Sequence, residues 1–515
     1  MNIYQAADYT GNIKEFADVV IIGSGAGGAV AAYELSEAGL QVILLEEGSY
    51  YTSEDWKHWK PHESFRRLYR DFGLTVAIGK TLNDPPVPFP LGRVVGGTTV
   101  VNSGTMFKIP EVIVRKWRKE FGFDIPDDEL EKAFDKVERI TRTQPVPEPV
   151  LGKNAEVFRR GARKLGYRNA PLRRNADNCK GCGRCVFGCP MDNKKAMHVS
   201  YIPAALINGA VVFANARAEK ILVNAGRAYG VKGKIIDGES GDPIYDFEIR
   251  AKVVILAAGA IYTPFLLLEN GNLANSSGWV GKNLHLHPGS RASALFEERI
   301  EGWKGVPQGL YVDEFWNEGI MLEGVFVPPS IAAPALPHVS YRNMEIMKRY
   351  PYIAAFGVMV SDSSSGEVKR SLQRGKPLIF YSFNEEDKHK MVKGILKMAE
   401  IYFAAGAKEV YLGLYPFTIV KNPDELKKIT PEKVRKRNIE MMAFHPMGTA
   451  RLGKDPKQSV VNTNLETHDI ENLFIMDGSI FPSCLGVNPQ ESIMAFATYA
   501  SWRLIENWGK YSGRS

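Results

Sequence analysis

The chain has 515 residues, is 44% hydrophobic and carries 65 Lys and Arg against 58 Asp and Glu, a formal charge of +7. That length and apolar content build a large core and more than one domain, and they exclude a disordered or low-complexity chain. Basic residues are scattered rather than gathered in an arm, so nucleic acid is not an expected partner, and no apolar run reaches the ~20 uncharged residues of a membrane span.

The first sixteen residues, Met1 to Phe16, contain neither twin arginines nor a basic flank leading into an apolar centre. Cytoplasmic residence is therefore the expectation, with association to a membrane-bound partner left open. Val19–Ile22 then reads as a buried parallel strand ending in Gly23-x-Gly25-x-x-Gly28, with Ala26 opening a helix. Gly23 permits a tight turn, Gly25 lets a pyrophosphate approach the backbone, and Gly28 lets the helix lie close on its strand. A second strand, Val42–Leu45, ends at Glu46, whose carboxylate can accept hydrogen bonds from adenosine ribose hydroxyls. The complete unit predicts dinucleotide binding without choosing between FAD and NAD.

A second glycine-rich loop follows, Gly92-Arg93-Val94-Val95-Gly96-Gly97-Thr98-Thr99-Val100-Val101-Asn102. By its residues alone this segment reads as no more than a glycine-rich turn. The proline-rich pieces Pro85–Pro90 and Pro145–Pro149 read as surface loops.

Four of the five cysteines then fall together as Cys179-x2-Cys182-x2-Cys185-x3-Cys189-Pro190, and the fifth, Cys484, stands alone. Such a distribution argues against a disulfide framework. Thiolates hold zinc and iron clusters alike, but zinc sites more often use two separated CxxC pairs, whereas a compact triple with a following Cys-Pro is the spacing of ferredoxin cluster loops. One 4Fe-4S cluster, or a 3Fe-4S cluster on three of the four, fits the count.

Farther along, the strand Val253–Ala257 leads into Gly259-Ala260-x-x-Thr263-Pro264, and Gly281–Pro288 carries His285 and His287 alternating as on a strand, which assigns them a structural role. Strand-like runs at Ile320–Val327 and Ile353–Val360, then a helical stretch at Glu385–Ala404, predict an antiparallel sheet flanked by helices. The aromatic residues Trp303, Phe315, Trp316 and Phe326 are expected to pack a core or to line an apolar pocket. The C-terminal part holds His445-Pro446-Met447-Gly448-Thr449-Ala450-Arg451, the strand Leu473–Met476 with Asp477-Gly478-Ser479, then Gly486-Val487-Asn488-Pro489 and a helix from Glu491 to about Ile505.

Between residues 17 and 507 these segments resemble, in order, the signatures of the glucose-methanol-choline oxidoreductases, a family of FAD enzymes. The resemblance implies an α/β chain, α+β overall: a Rossmann-like FAD-binding domain, a substrate domain with an antiparallel sheet flanked by helices, and a cysteine-cluster loop. It divides the chain into FAD-domain parts at 1–110, 200–289 and 441–515, a cap region at 111–199 with the iron-sulfur loop 179–190, and a substrate domain at 290–440. It implies cofactor contacts from Gly23, Gly25, Ala26, Gly28, Glu46, Arg93, Gly96, Gly97, Thr98, Thr99, Asn102, Asp477, Gly478, Asn488 and Pro489. His445 becomes the base that takes the hydroxyl proton, and Asn488 the donor that orients the substrate oxygen. Val101 stands where some members tether FAD through a histidine, so non-covalent FAD is expected. Asn270-Gly271-Asn272 departs from the family's usual Ser-Gly at that turn.

The expected activity is that of an FAD-dependent dehydrogenase that oxidises the CH–OH group of an alcohol or sugar by hydride transfer to flavin N5. Electrons would pass through the iron-sulfur cluster to an external acceptor protein or partner subunit. The cysteine region resembles the catalytic subunits of flavin-dependent bacterial sugar dehydrogenases, which hold a 3Fe-4S cluster. The earlier cysteines are spaced differently here, which favours 4Fe-4S. Two alternatives stay open: an oxygen-using alcohol oxidase with a structural metal site, and a redox-neutral flavin-containing lyase.

Overall fold

A computed structural model describes residues 2–326, 328–332, 341–373 and 375–512. Its largest sheet has eight strands, built around Ile13–Ile22, Val42–Leu45 and Val211–Phe213 on one side and Pro243–Leu256 on the other. Val19 pairs with both Val42 and Val253, and Ile22 with Leu45 and Leu256, all in parallel register. Val19, Val20 and Ile21 are fully buried, as a continuous β-branched run must be when helices cover both faces of a parallel sheet. An antiparallel meander of Arg227–Ile236 and Ala216–Asn224 extends the sheet, and Leu473–Ile475 adds in parallel at the end of Pro243–Leu256. Strands from the beginning, middle and end of the sequence therefore share one core.

Two helices fix the face of this sheet. Ala26–Glu37 packs through its small residues, and a Cβ on Gly27 would sit 1.7 Å from the carbonyl oxygen of Met476. The last long helix, Gln490–Glu506, starts at Pro489 and buries Phe496 against Trp117, Phe123 and Phe481. Its observed bounds lie within a residue of the sequence expectation.

The second core belongs to a seven-stranded sheet, antiparallel throughout, in the order Ile419–Val420, Glu409–Leu412, Gly289–Leu295, Ile353–Val360, Ile320–Gly324, Leu310–Val312 and Ala170–Pro171. Helix Glu385–Ala404 covers it with Met391, Val392, Ile395, Met398 and Tyr402, and Asn384 caps it by accepting from the Asp387 N–H at 2.8 Å. Glu385, Glu386 and Asp387 in its first turn complement the helix dipole.

Three local expectations need correction. The run expected at Ile320–Val327 is a strand only over Ile320–Gly324, and Val327 lies outside the described residues, as do residues 333–340. His285 and His287 do not continue a strand: the strand ends at Leu284, and His287 adopts a left-handed φ of 49°. The two proline-rich pieces are not simple surface loops either. Val87–Pro88 pairs with Val76–Gly79, Phe89 is fully buried, and Thr143–Pro145 pairs with Arg173–Asn175. Proline at a strand edge leaves such pairing intact because no ladder N–H is required of it.

Candidate active site

The glycine turn distinguishes close packing from open space. Gly23 has φ +102° and a Cβ there would meet the Ala257 carbonyl oxygen at 2.4 Å, while a Cβ on Gly28 would meet the Gly23 oxygen at 1.9 Å. At Gly25, which caps helix Ala26–Glu37, an added Cβ meets nothing within 4 Å. Open space at a helix N-terminus whose first N–H groups lack intrahelical partners fits the pyrophosphate of FAD. The second glycine loop lies directly on this turn, since a Cβ on Gly97 would come within 2.8 Å of the Gly25 Cα.

Ser24 fastens the two loops together. Its Oγ donates to Glu46 Oε2 at 2.6 Å and accepts from the Gly96 N–H at 2.9 Å. Glu46 also accepts from the N–H groups of Ser24 at 3.1 Å and Gly48 at 2.8 Å, which leaves its carboxylate some acceptor capacity for ribose hydroxyls. Burial raises this carboxyl above its ordinary value against the opposing effect of those donors.

Several polar side chains expected to face the cofactor are bonded to neighbouring protein groups. Thr98 Oγ1 accepts from Gly92 N at 3.1 Å, and Thr99 Oγ1 donates to Gly96 O at 2.6 Å and accepts from Met197 N at 3.0 Å. Asn102 accepts from Gly104 N at 3.0 Å and donates to Gln490. Arg93 lies 3.9 Å from Glu47, which Arg70 binds more closely at 2.6 Å. Asp477 accepts from Gly259 N, Thr263 Oγ1, Ser479 N and Ser479 Oγ, so its carboxylate ties the strand end to the start of helix Gly259–Glu269. These groups stiffen the cradle, and at Gly96, Gly97 and Gly478 only the backbone can meet a cofactor.

His445 and Asn488 arrive from separate segments and meet at 3.3 Å between His445 Nε2 and Asn488 Nδ2. The histidine segment is held by reciprocal 2.9 Å backbone bonds between Met447 and His285. The asparagine loop is pinned twice: Gly486 N donates to His287 Nε2 at 3.0 Å, and Trp316 Nε1 donates to Gly486 O at 3.1 Å. Burial, with His287 adding repulsion, pushes His445 down to about 3, so the imidazole is neutral. With the asparagine amide donating, Nε2 holds the lone pair. One ligand atom from each of His287, Asp362 and Cys484 also lies within 4.8 Å of the others. His287 already uses Nε2 to accept from the Gly486 N–H.

The GMC oxidoreductase family profile matches this chain in two parts, over residues 17–289 and 362–497. The chain belongs to the GMC oxidoreductase family. An uncharacterized GMC-type oxidoreductase of Mycobacterium tuberculosis is 39% identical over 483 residues, covering 93% of this chain and 74% of its own. Another, from Sinorhizobium fredii, is 32% identical over 93% of both chains. A long-chain-alcohol oxidase of Arabidopsis thaliana is 28% identical over 96% of this chain and 68% of its own. Among solved structures, pyridoxine 4-oxidase from Mesorbium loti superimposes with a TM-score of 0.70 at 17% identity, covering 94% of this chain and 98% of that one, and shows the same fold.

Sequence reasoning about this GMC oxidoreductase missed the surroundings of its cysteines. Cys179, Cys182, Cys185 and Cys189 line one cavity together with Arg174 and Lys194. Both cations are 2% exposed, and among the described residues neither has a carboxylate within 4.0 Å. Arg174 Nη2 donates to Cys185 Sγ at 3.1 Å, and its Nε to Ser103 O at 2.7 Å. Among the described residues, no three of the four sulfurs lie within 4.8 Å of one another. The sequence signal for the cations is slight: Arg173-Arg174 precede the cysteine run and Lys194-Lys195 follow it, with Lys180 and Arg184 inside it, and nothing local marks which of them turn inward.

Glu323, Gln308 and Thr105 were missed as well. Only Glu323 leaves a trace, an acid inside the otherwise apolar run Ile320–Gly324.

Proposed function

We propose that this GMC oxidoreductase is a dehydrogenase that oxidises the CH–OH group of an alcohol or sugar and passes the electrons through an iron-sulfur cluster on its four clustered cysteines to an acceptor protein. The observation that carries the reaction is the His445–Asn488 pair. A hydroxyl oxygen placed between them receives the Asn488 Nδ2–H and gives its proton to the lone pair of His445 Nε2. The donor orients the oxygen and the neutral imidazole takes the proton, which raises the hydridic character of the adjacent C–H. FAD, when bound, supplies the acceptor for that hydride.

The cysteine cavity supports the electron-transfer half of the reading. Two buried cations without carboxylates call for an anion, and ionised thiolates around an iron-sulfur cluster supply one. A single tetrahedral zinc with bonds of about 2.3 Å would need sulfurs about 3.8 Å apart. The wider spread of these sulfurs favours a polynuclear cluster. Cys182 is exposed, which gives a cluster held there an edge open to an acceptor.

The test is a visible spectrum with iron and sulfide analysis of anaerobically purified protein, before and after a panel of alcohols and sugars. Flavin bands over a broad iron-sulfide shoulder, with the flavin bleached by one substrate class, support the reading. Protein with flavin but no iron overturns the cluster. A second reading is favoured by the long-chain-alcohol oxidase relatives: oxygen as the acceptor, with the cysteines holding a structural metal. Stoichiometric oxygen uptake and peroxide release with an alcohol would select it.

A further inference from the structure

Glu323 lies on the strand Ile320–Gly324, flanked by the buried Leu322 and Gly324, and is itself 6% exposed. Its Oε2 accepts from Asn488 Nδ2 at 3.3 Å and from Gln308 Nε2 at 3.4 Å, and Gln308 Oε1 in turn accepts from Thr105 Oγ1 at 2.9 Å. Glu323 Oε1 and Asn488 Oδ1 are both buried without a partner. A polar chain thus runs from Thr105, just beyond the second glycine loop, through Gln308 and Glu323 to Asn488 and His445.

The two amide N–H groups of Asn488 have two acceptors to meet, Glu323 Oε2 and His445 Nε2, each at 3.3 Å. Rotating the amide by half a turn would set its oxygen against the carboxylate on one side and against the imidazole lone pair on the other. Both contacts would become repulsive in a buried site, where electrostatic interactions are strong. The carboxylate therefore decides which end of Asn488 faces the reaction, and through Asn488 it decides which nitrogen of His445 keeps its lone pair.

We infer that Glu323 is a positioning residue for alcohol oxidation, holding the Asn488 N–H toward the substrate oxygen and the lone pair of His445 on Nε2. The inference rests on the proposed use of His445 and Asn488, and it gives the site a titration of its own. Burial raises the Glu323 carboxyl to about 7, and the Asn488 donor opposes this only in part. The titratable groups facing it are His445, beyond Asn488, and Tyr311, its partner across the neighbouring strand; the other cross-strand partner is Gly357. A protonated Glu323 can turn its O–H toward Asn488 and so no longer forbids the wrong amide orientation.

The test is rapid-mixing flavin reduction of the holoenzyme by primary alcohols from ethanol to 1-dodecanol, between about pH 5 and pH 9. Glu323→Gln and Glu323→Asp are compared with the wild type, and melting temperature and flavin content are measured for each. The wild-type reduction rate should fall on an acid limb near pH 7. In Glu323→Gln the rate at high pH should drop about tenfold with the limb gone, while Glu323→Asp keeps a limb. An unchanged limb in folded, flavin-loaded Glu323→Gln overturns the inference and leaves the proposed reaction standing. A wild-type flavin that no alcohol or sugar reduces overturns both. Should Glu323→Gln fail to fold, an upward shift of the limb in Gln308→Glu, which places a second carboxyl against Glu323 and raises its pKa further, takes its place, and a limb that stays near pH 7 there counts against the inference.

Discussion

Lys194 is bonded to Asn102: its ammonium donates to the Asn102 carbonyl at 2.6 Å, and also to Val100 O at 2.8 Å and Cys185 O at 3.0 Å. One buried side chain thereby joins the end of the second glycine loop to the middle of the cysteine run. Burial lowers it to about 8, partly offset by Cys185 and Cys189. The cavity that takes the cysteines and the loop that lies on the dinucleotide turn are one packed unit.

Removing that charge should make the proposed cluster harder to reduce, because a nearby cation stabilises the added electron. For Lys194→Met we expect the cluster midpoint, followed by EPR during a redox titration, to move negative by on the order of 100 mV. An unmoved midpoint would mean that the cation does not act on the cluster.

Replacing any of Cys179, Cys182, Cys185 or Cys189 by Ser should lower the iron content of purified protein, and Cys484→Ser should leave it unchanged. Cys484 lies in the loop before Gly486, packs against the core of the larger sheet and does not line the cavity of the other four. Equal iron in all five variants would disconnect the cysteine run from metal binding.

His445→Ala should keep flavin and slow its reduction by alcohol by about 10²–10⁴-fold, the usual contribution of a positioned base. Flavin content and the single-turnover rate, measured on the same preparation, separate loss of chemistry from loss of cofactor.

Glu323 carries a stability cost with a defined pH window. Its carboxyl is raised from 4.5 to about 7, so between these values the unfolded chain is ionised there while the folded chain holds the proton. The folded state binds more protons in that window, so stability falls as pH rises through it, levelling above about 7 at a cost of roughly 3 kcal/mol. Glu323→Gln should therefore gain in melting temperature relative to wild type on going from about pH 5 to pH 8. A difference that stays constant over that range would contradict the assigned shift.

Gly25 and Gly27 should behave oppositely despite their proximity. At Gly27 a methyl would press on the Met476 carbonyl at 1.7 Å, so Gly27→Ala should lose on the order of 3 kcal/mol or fail to fold. Gly25→Ala meets no protein atom within 4 Å and should fold normally while binding FAD more weakly. Chemical denaturation of the apoprotein and flavin titration distinguish the two outcomes.

Much of the architecture is legible along the chain. The run Val19–Ile22, the glycine spacing that follows it and the acid after Val42–Leu45 each depend on neighbours a few residues away, and helix Glu385–Ala404 was readable from its own periodicity and acidic first turn. Short-range sterics and helix-end electrostatics fix such features wherever they stand. His445 and Asn488 were singled out by the resemblance to the family's motifs and not by any local physical rule. The edge pairing of Pro88 and Pro145 was not legible, because a proline reads as a break until a partner strand supplies the ladder.

What the sequence determined by itself is the set of local devices: a dinucleotide turn, a second glycine loop, four thiols at cluster spacing, a histidine and an asparagine in recognisable surroundings. What only the tertiary structure decided is which charges stand against them. Glu323 comes 3.3 Å from Asn488 although 165 residues separate them. Arg174 and Lys194 are turned inward onto the cysteines, and Thr98, Thr99 and Asp477 onto protein donors and acceptors rather than open space. Burial gives a charge or a hydroxyl its energetic weight, and burial is set by the packing of two sheets from distant segments, which no local pattern records.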